Sequence, residues 1–245
     1  MRGGVFKMTK RLRIRNQHNE LVVDSDTYGT HCIGRATFVS LQQPHGSGGG
    51  TVSGSSTYQF ASTRSILWAI DLPVDRRVGI LKTDYANGVH TLTAYCGYSG
   101  AENGDFDQQE QVTIWAFTTI TERIADAGLL LRHSVTNQVT HDFGAPALTF
   151  PLALGGLDSG VVVNSVARPV ALGASPYYEA TYEPGTGGQY IKTDYRRFLV
   201  RRVSGAIAYA PTLVLRSGIM SGALPPDTVY SEPSPFFIVD GTNLP

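Results

Sequence analysis

The chain has 245 residues and is 42% hydrophobic, enough to bury the core of one large domain or two small ones. Twenty Lys and Arg balance 20 Asp and Glu, so no global field draws it to nucleic acid, an anionic membrane or a polyanionic substrate. Only 16% of residues are charged, and 27 glycines with abundant Thr, Ser, Asn and Tyr suit strands and turns better than long solvated helices.

The opening segment Met1-Arg2-Gly3-Gly4-Val5-Phe6-Lys7-Met8 reads as a flexible N-terminus without a signal peptide's apolar stretch. No apolar run approaches the roughly 20 residues of a membrane span. Synthesis in a cytoplasm, with release by another route such as lysis, is the expectation.

Arg11-Leu12-Arg13-Ile14-Arg15 alternates polar and apolar at period two; a turn at 16–19 and a returning strand at Leu21-Val22-Val23 follow. Residues 33–41 predict another strand, and the Gly/Ser-rich stretch 44–57 a flexible loop or hairpin tip. Strands are expected at 65–70 and 78–82. The latter is joined to 89–95 by Asn87-Gly88, a pair tolerant of positive φ and the strongest short-range hairpin signal. A polar loop over 97–111 precedes a strand at 112–117. Thr121 to Gly128 reads equally as one capped helical turn or a connecting loop. Further strands are expected at 129–132, 138–141, 160–167, 189–192, 197–203 and 212–216. The Pro/Gly-rich stretch 173–189 predicts a long loop. Pro225, Pro226, Pro233 and Pro235 predict an extended arm over 223–245. The expected fold is all-β, a β-sandwich or barrel-like, with one β-domain over 9–120 and a second over 121–245.

Two echoes support a pair of related β-units. Leu12-Arg13-Ile14-Arg15-Asn16, a turn and Val22-Val23-Asp24 resemble Leu129-Leu130-Leu131-Arg132-His133, a turn and Val139-Thr140-His141-Asp142. Lys82-Thr83-Asp84-Tyr85 returns as Lys192-Thr193-Asp194-Tyr195.

Motifs of chemistry are not found. Gly and Ser at 46–56 form no Gly-x-Ser-x-Gly elbow leading into a helix, and no phosphate-binding glycine loop occurs. His18, His31, His45, His90, His133 and His141 are scattered. Asp105, Asp107 and Glu110 lack the glycine and oxygen pattern of a calcium loop, and Asp24-Ser25-Asp26 reads as a turn. Cys32 and Cys96, with Trp68 and Tyr95, miss immunoglobulin spacing and read as reduced, strand-borne thiols. Arg196-Arg197 and Arg201-Arg202 alternate sides of a strand, so they read as stems lying over a sheet or bridging to carboxylates. No catalytic residue, metal or cofactor is expected, and the chain reads as a non-enzyme. Tyr177, Tyr178, Tyr182 and Tyr190 are candidate partner or receptor contacts, because tyrosine gives large contact area at low entropy cost. Phe236, Phe237, Ile238 and Val239 are candidate assembly contacts, an apolar patch on the expected arm.

The opening hairpin, Leu12 to Asn16 and Glu20-Leu21-Val22-Val23-Asp24-Ser25-Asp26, resembles the start of small tail-tip proteins of long-tailed bacteriophages. Many of these begin Gly-Leu-x-Val/Ile-x-Asn, then a turn and a strand ending in Asp-Ser. The second copy supplies the glycine at Gly128-Leu129 but ends in His141-Asp142-Phe143; the first has Lys10-Arg11 in its place and Val23 where the family often has an aromatic. The resemblance covers about 15 residues in each of the two hairpins and leaves residues 40–115 and the C-terminal half aside. It implies an all-β virion protein of a tail tip or baseplate, made in the bacterial cytoplasm and repeated around the tail axis. Its partners would be other tail proteins and copies of itself, with no nucleic acid and no membrane insertion. A receptor- or carbohydrate-binding module touching a host cell-surface receptor or glycan is the alternative, and a polysaccharide-degrading enzyme the third.

Overall fold

A computed structural model describes residues 13–15, 21–24, 26–47, 50–52, 54–98, 109–148, 153–154, 160–163, 166–173, 177–197, 199–203, 206–210, 216–226, 228–229 and 237–245. These residues hold strands and turns and no helix. In chain order the strands are β1 (Arg13–Arg15), β2 (Leu21–Asp24), β3 (Thr30–Arg35), β4 (Thr37–Gln42), β5 (His45–Ser47) and β6 (Gly50–Val52). There follow β7 (Ser55–Ala61), β8 (Leu67–Asp71), β9 (Arg76–Ala86), β10 (Val89–Tyr98), β11 (Ile114–Thr119), β12 (Leu130–Arg132) and β13 (Val139–Asp142). The remainder are β14 (Ala153–Leu154), β15 (Gly160–Val163), β16 (Pro169–Gly173), β17 (Tyr177–Pro184) and β18 (Gln189–Arg197). Last come β19 (Leu199–Val203), β20 (Ala206–Ala210), β21 (Arg216–Ser221), β22 (Thr228–Val229) and β23 (Phe237–Asp240).

The fold is all-β, as expected, and none of its sheets closes into a barrel. One sheet has seven strands in the order β15-β20-β19-β9-β10-β7-β4. Its centre is the β9–β10 hairpin, turned at Asn87-Gly88 with φ of 51° and 78°. That double positive φ matches the right-handed strand twist, which is why Asn-Gly was so legible. A six-stranded sheet runs β14-β23-β16-β8-β11-β3. The two meet as a sandwich: Trp68 of β8 packs edge-on against His90 of β10, with ring centroids 6.5 Å apart. Tyr58 of β7 accepts the Val112 amide on its hydroxyl at 2.8 Å. Val78, Ile80, Leu92, Ala94, Cys96, Val200 and Ile207 are buried on the seven-stranded sheet, and Ile70, Ile114, Ala171 and Ile238 on the six-stranded one. Each fully buried Ile or Leu contributes about 1.5–3 kcal/mol. All five residues of β16 and consecutive residues of β8 and β11 are buried. Successive strand residues point to opposite faces, so this sheet is covered on both.

The contacts gather the chain into two compact units, neither continuous in sequence. One comprises residues 1–33, 117–148 and 244; the other 34–116, 149–243 and 245. The segments on either side of 120/121 are thus interleaved.

Two sequence expectations are corrected, and the open reading of Thr121–Gly128 is decided. Residues 173–189 are not a long loop: β17 and β18 form a hairpin through Gly187 and Gly188, whose φ of 66° and 75° make the turn, while the tyrosines and threonines beside them favour strands. Thr121–Gly128 holds no helical turn. Its Ile124 and Ala125 amides are taken by the Asp142 carboxylate instead. The expected arm ends in a core strand, for β23 lies between β14 and β16 with Ile238 and Val239 buried and Phe237 half-buried. All four prolines precede it, so its amides are free to pair. As assembly contacts, Phe237, Ile238 and Val239 are therefore withdrawn; Phe236 lies outside the described residues.

Ile238→Ala should cost about 2–5 kcal/mol in chemical denaturation, and removal of residues 237–245 should abolish the cooperative melt. A truncated chain that melts like the full one would detach β23 from the core. Cys32 and Cys96 are both buried and carry no disulfide, and burial first, then Glu110, pushes the Cys96 thiol up to about 12. Both should resist a thiol reagent at pH 8 and both should react once the chain is denatured without reductant.

Candidate functional site

Two features stand out as sites of interaction: the paired hairpins of the smaller unit and the sheet built on β17 and β18 of the larger.

The hairpins β1–β2 and β12–β13 share one design. In the first, Arg13 pairs with Asp24, Ile14 with Val23 and Arg15 with Leu21, with a bulge after Ile14. In the second, Leu130 pairs with Asp142, Leu131 with His141 and Arg132 with Val139, with a bulge after Leu131. A bulge adds a residue to one strand and turns the chain locally, so its recurrence at the equivalent step makes the two copies one structural motif. The other echo is not equivalent. Lys82-Thr83-Asp84-Tyr85 runs into its hairpin turn, whereas Lys192-Thr193-Asp194-Tyr195 runs away from one.

The chain leaving the first hairpin clasps the second. The Ser134 amide donates to Asp26 Oδ1 at 3.2 Å, the Tyr28 hydroxyl donates to Gln138 Oε1 at 2.6 Å, and the Tyr28 ring stacks on His133 with centroids 6.0 Å apart. The Gly29 amide donates to the Thr140 carbonyl at 2.7 Å. A side chain at Gly29 would meet His141 Cδ2 at 2.8 Å and His31 Nε2 at 2.9 Å, so glycine is needed for this approach.

Asp142 locks the second hairpin. Its fully buried carboxylate accepts the amides of Ile124 at 2.9 Å and Ala125 at 2.8 Å on Oδ2, and of Gly144 at 3.0 Å on Oδ1. Burial opposes the charge, but the three amides together outweigh it and hold the carboxyl below its usual value. Beside it lies His31, whose Nε2 accepts the Asp142 amide at 3.5 Å and whose ring meets His141 edge-on at 6.2 Å. Burial, then the neighbouring His141, lowers the His31 pKa, so neutral imidazole is the state that fits.

In the larger unit, Arg76 grips Glu110 with Nε and Nη2 at 2.8 and 2.9 Å. Glu110, read as a loop acid, is thus half of a two-pronged ion pair; Asp105 and Asp107 lie outside the described residues. Gln109 and Gln43 exchange hydrogen bonds, and the Cys96 amide donates to Gln109 Oε1 at 3.0 Å. Arg168 reaches Asp71 at 3.3 Å and lies 4.6 Å over the Trp115 ring. Arg201 faces Asp75 at 3.7 Å, the carboxylate bridging expected of these arginines. Among the described residues no three His, Cys, Asp or Glu side chains group as a metal site.

The third sheet, ordered β22-β17-β18-β21-β6-β5, carries the tyrosines. Tyr177 and Tyr178 lie on β17 opposite Arg197 and Arg196. Tyr182 and Tyr190 meet edge-on across the hairpin at 5.7 Å and are half-exposed. Ile191, Ile219 and Met220, which the sequence reading did not single out, are exposed on the same sheet. Their pairing, Ile191 with Ile219 and Tyr190 with Met220, is a tertiary fact with only strand propensity as its trace in sequence.

Asp142→Ala should destabilise the chain by about 3 kcal/mol, because three amides lose a charged acceptor. For His31 the unfolded chain binds protons more readily than the folded one, so stability should fall as pH drops below the free-histidine value near 6.5. His31→Gln should flatten melting temperature between pH 7 and 5. Asp142, its carboxyl lowered, contributes above the free-carboxylate value and loses that contribution only as pH falls through its folded one. Equal pH slopes in wild type and His31→Gln would remove His31 from this account.

Comparison with known proteins places the chain in no family: no family model matches it, nor does any curated protein or solved structure.

Proposed function

We propose that this chain is a structural protein of a bacteriophage tail tip or baseplate, one that holds its place by contacts with neighbouring subunits. The observation that carries the reading is the doubled hairpin. The motif that resembles the opening of tail-tip proteins is present twice, with the same register and the same bulge. A motif repeated at that level of backbone detail is a building element, reused for its shape.

The larger unit supports the same reading in a different way. Its sandwich is closed and well packed, yet the sheet extending from it leaves apolar side chains in solvent. Surfaces of that kind are covered by partners in an assembly. A second reading, a receptor- or glycan-binding module, draws on the half-exposed Tyr182–Tyr190 pair, since aromatic faces stack on sugar rings.

Mass spectrometry of purified virions, with gold-labelled antibody against the chain, tests the proposal. The expected result is the chain in intact particles with label at the distal end of the tail. Its absence from particles, with the protein found only in the soluble lysate, would overturn the reading. Tyr182→Ala with Tyr190→Ala should leave particle incorporation unchanged if the pair serves a receptor, and reduce adsorption to cells instead.

A further inference from the structure

Two histidines of the smaller unit serve as acceptors for backbone amides. His133 Nδ1 takes the Val135 amide at 3.2 Å and the Thr136 amide at 3.3 Å, closing the turn between β12 and β13. His31 Nε2 takes the Asp142 amide at 3.5 Å. An imidazole nitrogen accepts only while it keeps its lone pair; once protonated it is a donor facing a donor. Both hydrogen-bond patterns therefore need a neutral ring.

The two rings stand at the two ends of one contact. Residues 26–31 run along the second hairpin, joined to it by the Asp26–Ser134 and Tyr28–Gln138 hydrogen bonds, the Tyr28–His133 ring stack and the Gly29–Thr140 hydrogen bond. At one end His133 shapes the turn that offers the Ser134 amide and the Gln138 side chain. At the other, His31 is 1% exposed and its ring meets His141 edge-on. We propose that this contact is an acid-released latch: protonation of His31 and His133 frees residues 26–31 from the second hairpin. The latch goes beyond the proposed virion role and stands or falls without it.

The groups facing each ring set the direction. Burial first, then His141, oppose a positive charge on His31; the Ala145 carbonyl and the Asp142 carboxylate favour it less strongly. That carboxylate is already committed to the amides of Ile124, Ala125 and Gly144, and it also feels Arg123. Once freed, His31 returns to the ordinary histidine value near 6.5, so a pH falling below that value favours release. At His133 the stacked Tyr28 ring favours a cation, and Asp26 lies at the neighbouring Ser134 amide. Arg132, which reaches the Asn137 carbonyl across the same turn, adds a like charge. Two amides losing their acceptor to a new N–H outweigh one ring contact outside the core.

Hydrogen exchange of the full chain, followed from neutral pH down to about 5 and corrected for the pH dependence of exchange itself, tests the latch. Protection of the Gly29, Ser134 and Asp142 amides should fall on the order of tenfold for each pH unit below about 6.5, while the amides of β16 keep theirs. His31→Gln and His133→Asn each put an amide oxygen where the accepting nitrogen stood, and neither side chain titrates. Each variant should lose part of the acid response, and the double variant should match wild type at neutral pH and hold its protection in acid. An acid loss undiminished in the double variant would overturn the proposal. So would no loss in wild type, or an equal loss along β16, which is unfolding of the whole chain. Should a variant melt early at neutral pH, the wild type still decides by nuclear magnetic resonance. The His31 ring signals should titrate together with the rise in Gly29 exchange, and titration of His31 with Gly29 exchange unchanged would overturn the latch.

Discussion

A strand buried on both faces must give every backbone N–H and C=O to a neighbouring strand, because neither water nor a side chain is there to take them. That constraint governs the larger unit. β16 is buried along its whole length and is flanked by β8 on one edge and β23 on the other. β23 arrives from the far end of the chain, so the sandwich is complete only when the C-terminal residues have paired. The same need explains why residues just after the strand are pinned. The Gly241 amide donates to the Arg168 carbonyl at 2.8 Å, and Arg168 Nη1 donates back to the Gly241 carbonyl at 3.2 Å.

Charged groups are few, and several are used at junctions. Arg168 joins the start of β16 to Asp71 at the end of β8 while its guanidinium covers the Trp115 ring, where weak hydration and a flat shape suit it better than lysine. Arg76 with Glu110 ties the segment before β11 to the start of β9. Asp142 ties the smaller unit's connecting segment to its second hairpin. Only four of the 20 basic residues are lysines, and these partly buried pairs are the geometry in which arginine's planar fork is favoured.

The proposed function draws on a contrast between packed and exposed surfaces. The sandwich core is sealed, and the hairpin pair is clasped by hydrogen bonds and ring stacking. Among the described residues, the β17–β18–β21 sheet keeps two isoleucines and a methionine exposed and an aromatic pair half-exposed. An element that exposes apolar side chains in this way is suited to contact. The proposed virion role draws on that exposure.

The sequence by itself determined the all-β class, the Asn87-Gly88 hairpin and the echo between the two small hairpins. Each of these is written in neighbouring residues: period-two alternation, a dipeptide that tolerates positive φ, and similar strings of side chains. That Cys32 and Cys96 form no disulfide was legible from their failure to match immunoglobulin spacing. The roles of Asp142, Glu110 and Phe237 to Val239 were not. A carboxylate becomes a lock only when amides of another segment, here Ile124 and Ala125, join the neighbouring Gly144 amide on it, and an apolar tetrapeptide becomes a core strand only when another strand offers its edge. Tertiary structure decided these, as it decided which face Ile191 shares with Ile219. Pairing across a sheet joins residues far apart in sequence, and no local pattern records which partner a strand will find.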